Sequence, residues 1–419
     1  MSPSLLRENA RKAAGLLRCE EFVEVVSHND ADGLSTAGIV CDLLSRWETR
    51  YHFRCVDDPG RVGSHVSKDV TTVACDLGAS YLDRLPPNTV VVDHHPSEGR
   101  GGFGGILVTP RDEGDADDEA SSSCGAHIVA KESGSGAKTA DTALLGVIGD
   151  DVLDSGSDLV EEVIDDGVES GVIDETVGAR LVGERVDEAL AYSTDPYTEY
   201  TGDVEAARGY VEELGLPISV TDMDDDETTR FSTAVFLLAL REASNPETAA
   251  ETVGERYLLS DADGYDAHTF AAYVEACGKT GNPGLGLSLC LGDATGDVKK
   301  ARKLYRSFES SLIDEVENAD VEEEDGSGLC TVRISGGFDT GSVADVFHRW
   351  ISDSEVVLVV NPDGEMSLRS GSEVDAGRTL RDCASRVGGE GGGHPERGGS
   401  VVPSETKDEF IDCVKEAVE

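Results

Sequence analysis

The sequence predicts an α/β protein: an N-terminal parallel sheet, a helical middle region and a smaller C-terminal α/β domain. Three observations carry this. In the first 150 residues, short apolar runs rich in β-branched residues recur, each followed by Asp or His. After Asp154 the chain turns acidic and helical in pattern to about residue 215. From Cys330 the order is strand, Gly-Gly turn, helix, strand, tight turn and strand. Short continuous apolar runs read as strands buried on both faces, which is the signature of a parallel sheet covered by helices. A chain of 419 residues has room for two or three domains. The expected division is residues 1–155, 156–329 and 330–419.

The N-terminal runs end in a consistent way. Phe22–Val26 leads into Ser27-His28-Asn29-Asp30-Ala31-Asp32-Gly33, and Val70–Cys75 leads into Asp76. Thr89–Val92 leads into Asp93-His94-His95. Leu144–Ile148, after a helix-like lead-in, leads into Gly149-Asp150-Asp151. Ligands of such sheets bind outside the carboxyl ends of the strands, so four strands are expected to deliver carboxylates and imidazoles to one edge. His28, Asp30 and Asp32 alternate, which in an extended segment puts all three on one side. Four or more carboxylates, two or three imidazoles and no thiolate suit Mn²⁺ or Mg²⁺ better than structural zinc. So much negative charge calls for more than one cation. Two ions about 3.5–4 Å apart can activate water and stabilise the leaving oxygen of a phosphoryl displacement.

Further along, Asp222–Glu227 (DMDDDE) lacks the spacing and glycine of an EF-hand and reads as a solvated loop. Residues 230–277 return to amphipathic helices, including Thr269–Cys277. The C-terminal pattern places strands at Thr331–Ile334, Val356–Val360 and Met366–Arg369, with a helix at about Ser342–Ile351. Asn361-Pro362-Asp363-Gly364 between two apolar runs is a hairpin signal. Helices from Glu373 to Val387 and from Ser404 onward complete this part. Gly391-Gly392-Gly393-His394 exposes backbone N–H groups and permits positive φ, which suits a nest for phosphate; the alternative is a flexible loop. His394 and Arg397 can add charge-assisted hydrogen bonds, and Arg369 at a strand end is a second candidate phosphate ligand.

Charge is the loudest compositional feature. Acidic residues number 84 against 35 basic, a net charge of −49. With few lysines and many small residues, this is the composition of a protein adapted to molar salt, where the Debye length is about 3 Å; an ordinary acidic protein is the alternative. Otherwise −49 would argue against a polyanionic substrate. The acidity is uneven: Lys299, Lys300, Arg302, Lys303 and Arg306 crowd one helix, a solvated face or a phosphate-facing one. Between Met366 and Ser400 five arginines balance five acids. The longest apolar run, Ala234–Leu240, is far short of the roughly 20 residues that span a bilayer. The polar-interrupted start does not read as a signal peptide. Ten cysteines without a C-x-x-C pair suggest neither a zinc ribbon nor a disulfide framework. The expectation is a cytoplasmic protein without membrane contact.

Together these residues closely resemble the DHH phosphoesterase superfamily. The H-x-D-x-D-G of His28–Gly33, Asp76, Asp93-His94-His95 and the G-x-x-x-D of Gly146–Asp150 match its four motifs in order. Gly391-Gly392-Gly393-His394-Pro395 matches the glycine-rich motif of its DHH-associated domain. The resemblance covers roughly residues 20–155 and 330–419. It departs at Arg397-Gly398, where relatives more often carry small apolar residues. The resemblance implies that His28 and Asp30 hold one metal and that Asp32, His94 and Asp150 hold the other. Asp76 would bridge the two, His95 would face the scissile phosphate, and Asp93 would orient the cluster; Asp151 is the alternative to Asp150. It implies two domains facing each other across a cleft, and two Mn²⁺ ions, with Mg²⁺ possible. The segment from Glu275-Ala276-Cys277-Gly278-Lys279 to Leu291-Gly292-Asp293 resembles archaeal RecJ-like nucleases and favours an exonuclease on single-stranded DNA or RNA. By the same resemblance, GINS replication proteins are candidate partners. The alternatives are a phosphodiesterase for short oligonucleotides or cyclic dinucleotides, and a catalytically inactive replication scaffold.

Overall fold

The structure is a computed structural model that describes residues 3–57, 59–97, 100–111, 120–243, 245–260, 265–292, 296–323, 328–371 and 374–418. The chain forms two compact units, Met1–Thr176 with Glu255–Tyr305, and Val177–Gly254 with Arg306–Glu419. The expected middle region, 156–329, is thus shared between both.

The first unit opens with α1 (Pro3–Leu17), β1 (Phe22–Ser27), α2 (Ala31–Arg46), β2 (Arg50–Cys55), α3 (Val62–His65), β3 (Thr72–Cys75), β4 (Thr89–Val92) and β5 (Ile106–Val108). The five strands form one parallel sheet in the order β2-β1-β3-β4-β5. The chain leaves β1 for β2 on one side and returns to β3 on the other. A crevice therefore opens beyond the carboxyl ends of β1 and β3, the position where doubly wound sheets take their ligands. β3 and β4 are wholly buried, as their uninterrupted apolar runs require.

Helices α4 (Ser122–Glu132), α5 (Ala140–Gly149) and α6 (Asp158–Ser170) follow. α2 lies against both α4 and α5. Leu34, Ile39, Leu43 and Leu44 on α2 are essentially inaccessible to water. Each such burial is worth about 1.5–3 kcal/mol. The run Leu144–Ile148 belongs to α5 and is not the strand expected from sequence. A five-residue apolar run does not distinguish a buried helix from a buried strand, and Ala140–Ala143 extend it at helical propensity.

The chain continues through β6 (Ile173–Ala179), α7 (Val186–Ala191), α8 (Val204–Glu213), α9 (Asp225–Glu242), α10 (Pro246–Glu251), β7 (Val253–Leu259) and β8 (Tyr265–Asp266). β6 interrupts the stretch expected to be helical throughout. The carboxylate run at 222–227 is not a free loop. Asp224 caps α9 by accepting from the Glu227 N–H at 2.8 Å, while its own N–H donates to the Glu227 carboxylate at 2.9 Å. This capping box puts acids on the positive end of the helix dipole. Helices α11 (Ala267–Lys279), α12 (Pro283–Cys290) and α13 (Asp297–Glu317) come next; Asp293 and Glu373 lie outside the described residues.

The C-terminal part contains β9 (Asp320–Glu323), β10 (Leu329–Arg333), α14 (Thr340–Val346), β11 (Val356–Val360), β12 (Glu365–Ser370), α15 (Ala376–Val387), β13 (Glu390–Gly393), β14 (Arg397–Val401) and α16 (Lys407–Val418). Its six-stranded sheet has the order β13-β14-β12-β11-β10-β9, and only β10 and β11 run parallel. Leu358, Met366 and Leu368 pack with Leu380 of α15 and Phe410 of α16. Val357 and Val359 pack with Val343 and Phe347 and with Leu312 of α13. The hairpin expected at Asn361–Gly364 joins β11 to β12, with Gly364 at φ 90°. Contrary to the sequence expectation, Cys383 on α15 and Cys413 on α16 form a disulfide. Their separation of 30 residues hides in sequence what the packing of two helices brings together.

No helix among the described residues is long and apolar enough to cross a membrane.

Glu309 on α13 is buried, and burial pushes its carboxyl up to about 8 although the Thr194 hydroxyl donates to it at 2.9 Å. Between its ordinary value of 4.5 and 8 the folded protein keeps a proton that the unfolded chain has released. Stability should therefore fall as pH rises through this window. Glu309→Gln should raise the melting temperature above pH 8 and change it little near pH 4; parallel pH profiles for variant and wild type would contradict this assignment.

Candidate metal centre

The sheet's own ladder delivers the site residues. The His28 N–H donates to the Cys75 carbonyl at 3.1 Å, Asp76 N–H to Val92 at 2.8 Å and Asp93 N–H to Val108 at 3.2 Å. Parallel pairing therefore runs up to the first residue after each strand, and three strand ends place their polar residues side by side. Asp76 sits at φ 57°, a left-handed conformation unusual for a residue other than glycine. Its carboxylate is nearly inaccessible to water.

After β1 the backbone is not extended. Asp30 is the N-cap of α2 and accepts from the Gly33 N–H at 2.8 Å. Asp32 lies in the first helical turn, so the expected alternation of His28, Asp30 and Asp32 on one extended face is replaced by a cap and a turn. His28 Nδ1 lies 2.5 Å from Asp30 and 3.2 Å from Asp76. Asp32 is held from α4, accepting from the backbone N–H groups of Ser122 and Ser123 at 2.8 and 2.9 Å.

His94 Nε2 lies 3.6 Å from Asp76 and 3.3 Å from Asp150. Asp150 caps the carboxyl end of α5 and turns toward this cluster, whereas Asp151 is exposed at φ 60°. Asp93 accepts from the Ala79 N–H at 2.7 Å and contacts His95 Nδ1 at 2.8 Å. Within the first unit, among the described residues, three groups of potential ligand atoms lie within 4.8 Å of one another: His28, Asp30 and Asp76; Asp32, Asp76 and His94; Asp76, Asp93 and His95. Asp76 is common to all three.

Electrostatics in this cluster are severe. Burial, then the charges of Asp30 and Asp32, push the Asp76 carboxyl well above its usual range. Burial, then Asp32, Asp76 and Asp30, do the same to Asp150. Burial also opposes ionisation of Asp30 and Asp93, but His28 and His95 respectively outweigh it and hold both carboxyls low. Burial lowers His95, but Asp93, by charge and by hydrogen bond, together with Asp76 raises it to about 9. Asp150 Oδ2 is buried and accepts no hydrogen bond from the described residues. An orphaned buried carboxylate oxygen beside an all-oxygen and imidazole donor set fits hard divalent cations.

Sequence reasoning did not single out the residues that support this cluster. The Ser122 hydroxyl donates to Asp76 at 2.8 Å and accepts from the His94 N–H at 3.1 Å. The Glu275 carboxylate accepts from the Ala31 N–H at 2.5 Å, at the start of α2. A side chain at Gly278 would strike the Asn29 carbonyl at 1.7 Å. The only signal for these was the segment around Glu275, which carries no role by itself; the serines look like an ordinary helix start.

In the C-terminal sheet, Gly391–Gly393 form strand β13, and only Gly393 has positive φ. This differs from the expected loop nest because β14 pairs with the glycines. The N-terminus of α15 holds the following turn, with Ala376 and Gly377 N–H groups donating to Pro395 and His394 carbonyls at 2.7 and 2.9 Å. Arg369 is gripped by Asp345 at 2.5 and 2.9 Å and donates to the Gly341 carbonyl. Arg397 stands opposite Arg369 across β12 and β14.

Residues 326–419 match the DHHA1 domain family. Over its full length the chain is similar to the crystal structure of RecJ in complex with Mn²⁺ from Thermus thermophilus, at a TM-score of 0.60 and 17% identity. The fold is RecJ-like. The chain covers 55% of that RecJ, while 100% of this chain is matched. CDC45 from Entamoeba histolytica is similar at a TM-score of 0.65 and 11% identity, over 99% of this chain and 97% of that one. An uncharacterized protein of Methanocaldococcus jannaschii is 22% identical over 95% of this chain and 93% of its own length.

The glycine of the fourth motif has a steric reason in this RecJ-like fold. A Cβ at Gly146 would stand 2.3 Å from Asp32 Oδ1 and 2.4 Å from Ser123 Oγ. Gly146→Ala should displace Asp32, cost about 1–3 kcal/mol of stability by overpacking and weaken Mn²⁺ binding at least about tenfold. Calorimetric Mn²⁺ titration beside thermal unfolding checks this; unaltered Mn²⁺ affinity would remove Asp32 from the candidate ligands expected from sequence.

Proposed function

We propose that this chain is a divalent-metal-dependent phosphoesterase of the DHH type, an exonuclease acting on single-stranded DNA or RNA. The observation that carries the reading is Asp76, a buried carboxylate shared by three ligand groups at the topological switch point of the sheet. His28 and Asp30 would hold one cation, Asp32, His94 and Asp150 a second, and Asp76 both. The donor set favours Mn²⁺, with Mg²⁺ as the substitute. Bound there, two cations would supply the Lewis acidity that activates a water and stabilises the departing oxygen of a phosphodiester.

The chain's own residues have separate tasks. Asp93, fixed by the Ala79 N–H, orients His95 through its Nδ1, and His95 is the residue proposed to face the scissile phosphate. Ser122 holds Asp76 in place from α4. His394, Arg397, Arg369 and the strand Gly391–Gly393 are proposed as contacts to the phosphate backbone of the substrate. In support, Asp345 offsets the charge of Arg369, which lets two guanidiniums stand opposite each other on adjacent strands. Phosphate contacts of this kind position a strand without reading its bases. The net charge of −49 supports a working environment of molar salt, in the cytoplasm. An association with GINS-type replication proteins completes the reading.

The test is a gel time course in Mn²⁺ and molar KCl on end-labelled single-stranded DNA and RNA, beside a dinucleotide. Stepwise shortening of the long strand is expected, and cleavage of the dinucleotide alone would replace this reading with oligonucleotide scavenging. Asp93→Ala combined with His94→Ala should abolish cleavage, a loss of at least about a thousandfold, with thermal unfolding nearly unchanged. Retained turnover in that variant would exclude the two-metal site.

A further inference from the structure

We propose that the amino-terminal half of α13, through Lys299, Lys300 and Lys303, docks the phosphate backbone of single-stranded nucleic acid beyond the nucleotide being cleaved. The proposal rests on the nuclease reading above and adds to it a second contact surface, separate from the metal ligands and from the C-terminal sheet.

The first argument is distribution. The whole chain has ten lysines, and three of them fall within five positions of α13. All three are exposed. Lys299 and Lys303 are four residues apart and share a helix face, where like charges repel at a cost of about 0.2–0.5 kcal/mol. In a chain that carries 84 acidic residues, a stripe of this kind runs against the composition of the chain as a whole. Arg306, which the sequence groups with it, is excluded: its guanidinium is half-buried against Glu188, whereas Lys300 is exposed and its pairing with Asp297 is of the weak surface kind.

The second argument is placement. Asp297, at the start of α13, accepts from the Ser288 hydroxyl of α12 at 2.9 Å and from Lys300 at 2.8 Å, and a Cβ at Gly286 of the same α12 would stand 3.3 Å from Cys277 of α11. Cys277 precedes Gly278, the residue that lets α11 press against the Asn29 carbonyl between His28 and Asp30. The start of α13 therefore lies beside the end of α11 that backs the metal centre.

The third argument is chemistry. Lysine ammonium groups are compact point charges on flexible stems and bind phosphate without geometric or base selectivity. At molar salt only contact-range pairs survive screening, so charges must be concentrated within a turn or two to matter. An anionic strand meets that condition with one phosphate per nucleotide.

The experiment uses the full chain with Mn²⁺ and a fluorescein-labelled phosphorothioate single strand of about 20 nucleotides. Anisotropy titrations would span about 0.2 to 2 M KCl, and Lys299→Gln/Lys300→Gln/Lys303→Gln would be compared with wild type. Removing three phosphate contacts should flatten the slope of log K against log[salt] by about 2 and weaken binding about tenfold at the lowest salt. Dinucleotide hydrolysis and the melting temperature should not change, since the lysines are exposed and outside the metal centre. Equal slopes and affinities would overturn the proposal, as would a loss of dinucleotide turnover matching the loss of strand affinity. If wild type cleaves no nucleic acid yet shows the difference in slope, the nuclease reading fails and the docking surface stands.

Discussion

The rest of this structure depends on burying like charges at one sheet edge. Asp30, Asp32, Asp76, Asp93 and Asp150 converge with three histidines beyond the carboxyl ends of β1, β3 and β4. Two unit charges about 4 Å apart repel by about 4 kcal/mol at an effective dielectric of about 20. Protein groups offset part of this. His28 and His95 hold Asp30 and Asp93, backbone N–H groups of α4 hold Asp32, and Ser122 and His28 approach Asp76. Asp150 Oδ2 is left without a hydrogen bond from the described residues. The unbalanced remainder is what a pair of divalent cations would neutralise.

Small residues make that convergence sterically possible. Gly146 lets α5 approach Asp32, Gly278 lets α11 approach Asn29, and Gly149 lets α5 approach Ala31 at α2. Each marks a place where helix backbone must come nearer the site than a side chain permits. Rigidity of the cluster follows, because α2 is clamped by α4, α5 and α12 as well as by the sheet. The capping of α2 by Asp30 ties the start of that helix to a residue of the cluster itself.

The C-terminal sheet solves a related problem with opposite sign. Arg369 and Arg397 stand directly opposite on adjacent strands, where like charges are destabilising. Asp345, delivered from α14, takes Arg369 bidentately and lowers the local charge. Gly391–Gly393 pair with β14 although glycine weakens a strand, and a Cβ at Gly391 would strike the Leu380 carbonyl at 2.8 Å. Close approach of α15, rather than freedom of φ, accounts for glycine at Gly391.

Sequence alone determined the parallel sheet, because β3 and β4 are apolar without alternation and only a doubly covered strand accepts that. It also determined that His28, Asp76 and Asp93 would be neighbours, since each follows its strand directly and parallel register aligns those ends. Tertiary structure decided what local pattern leaves degenerate. The Leu144–Ile148 run is a helix because α5 packs along α2, and Asp30 and Asp32 reach the cluster as a cap and a first-turn residue, not as one extended face, because α2 starts between them. Cys383 meets Cys413 only through the packing of α15 on α16. Ser122 and Glu275 support the centre from chain positions 46 residues beyond Asp76 and 244 beyond Ala31. Contacts of that range leave no periodic trace in sequence, because periodicity records which face of an element is buried and not what it is buried against.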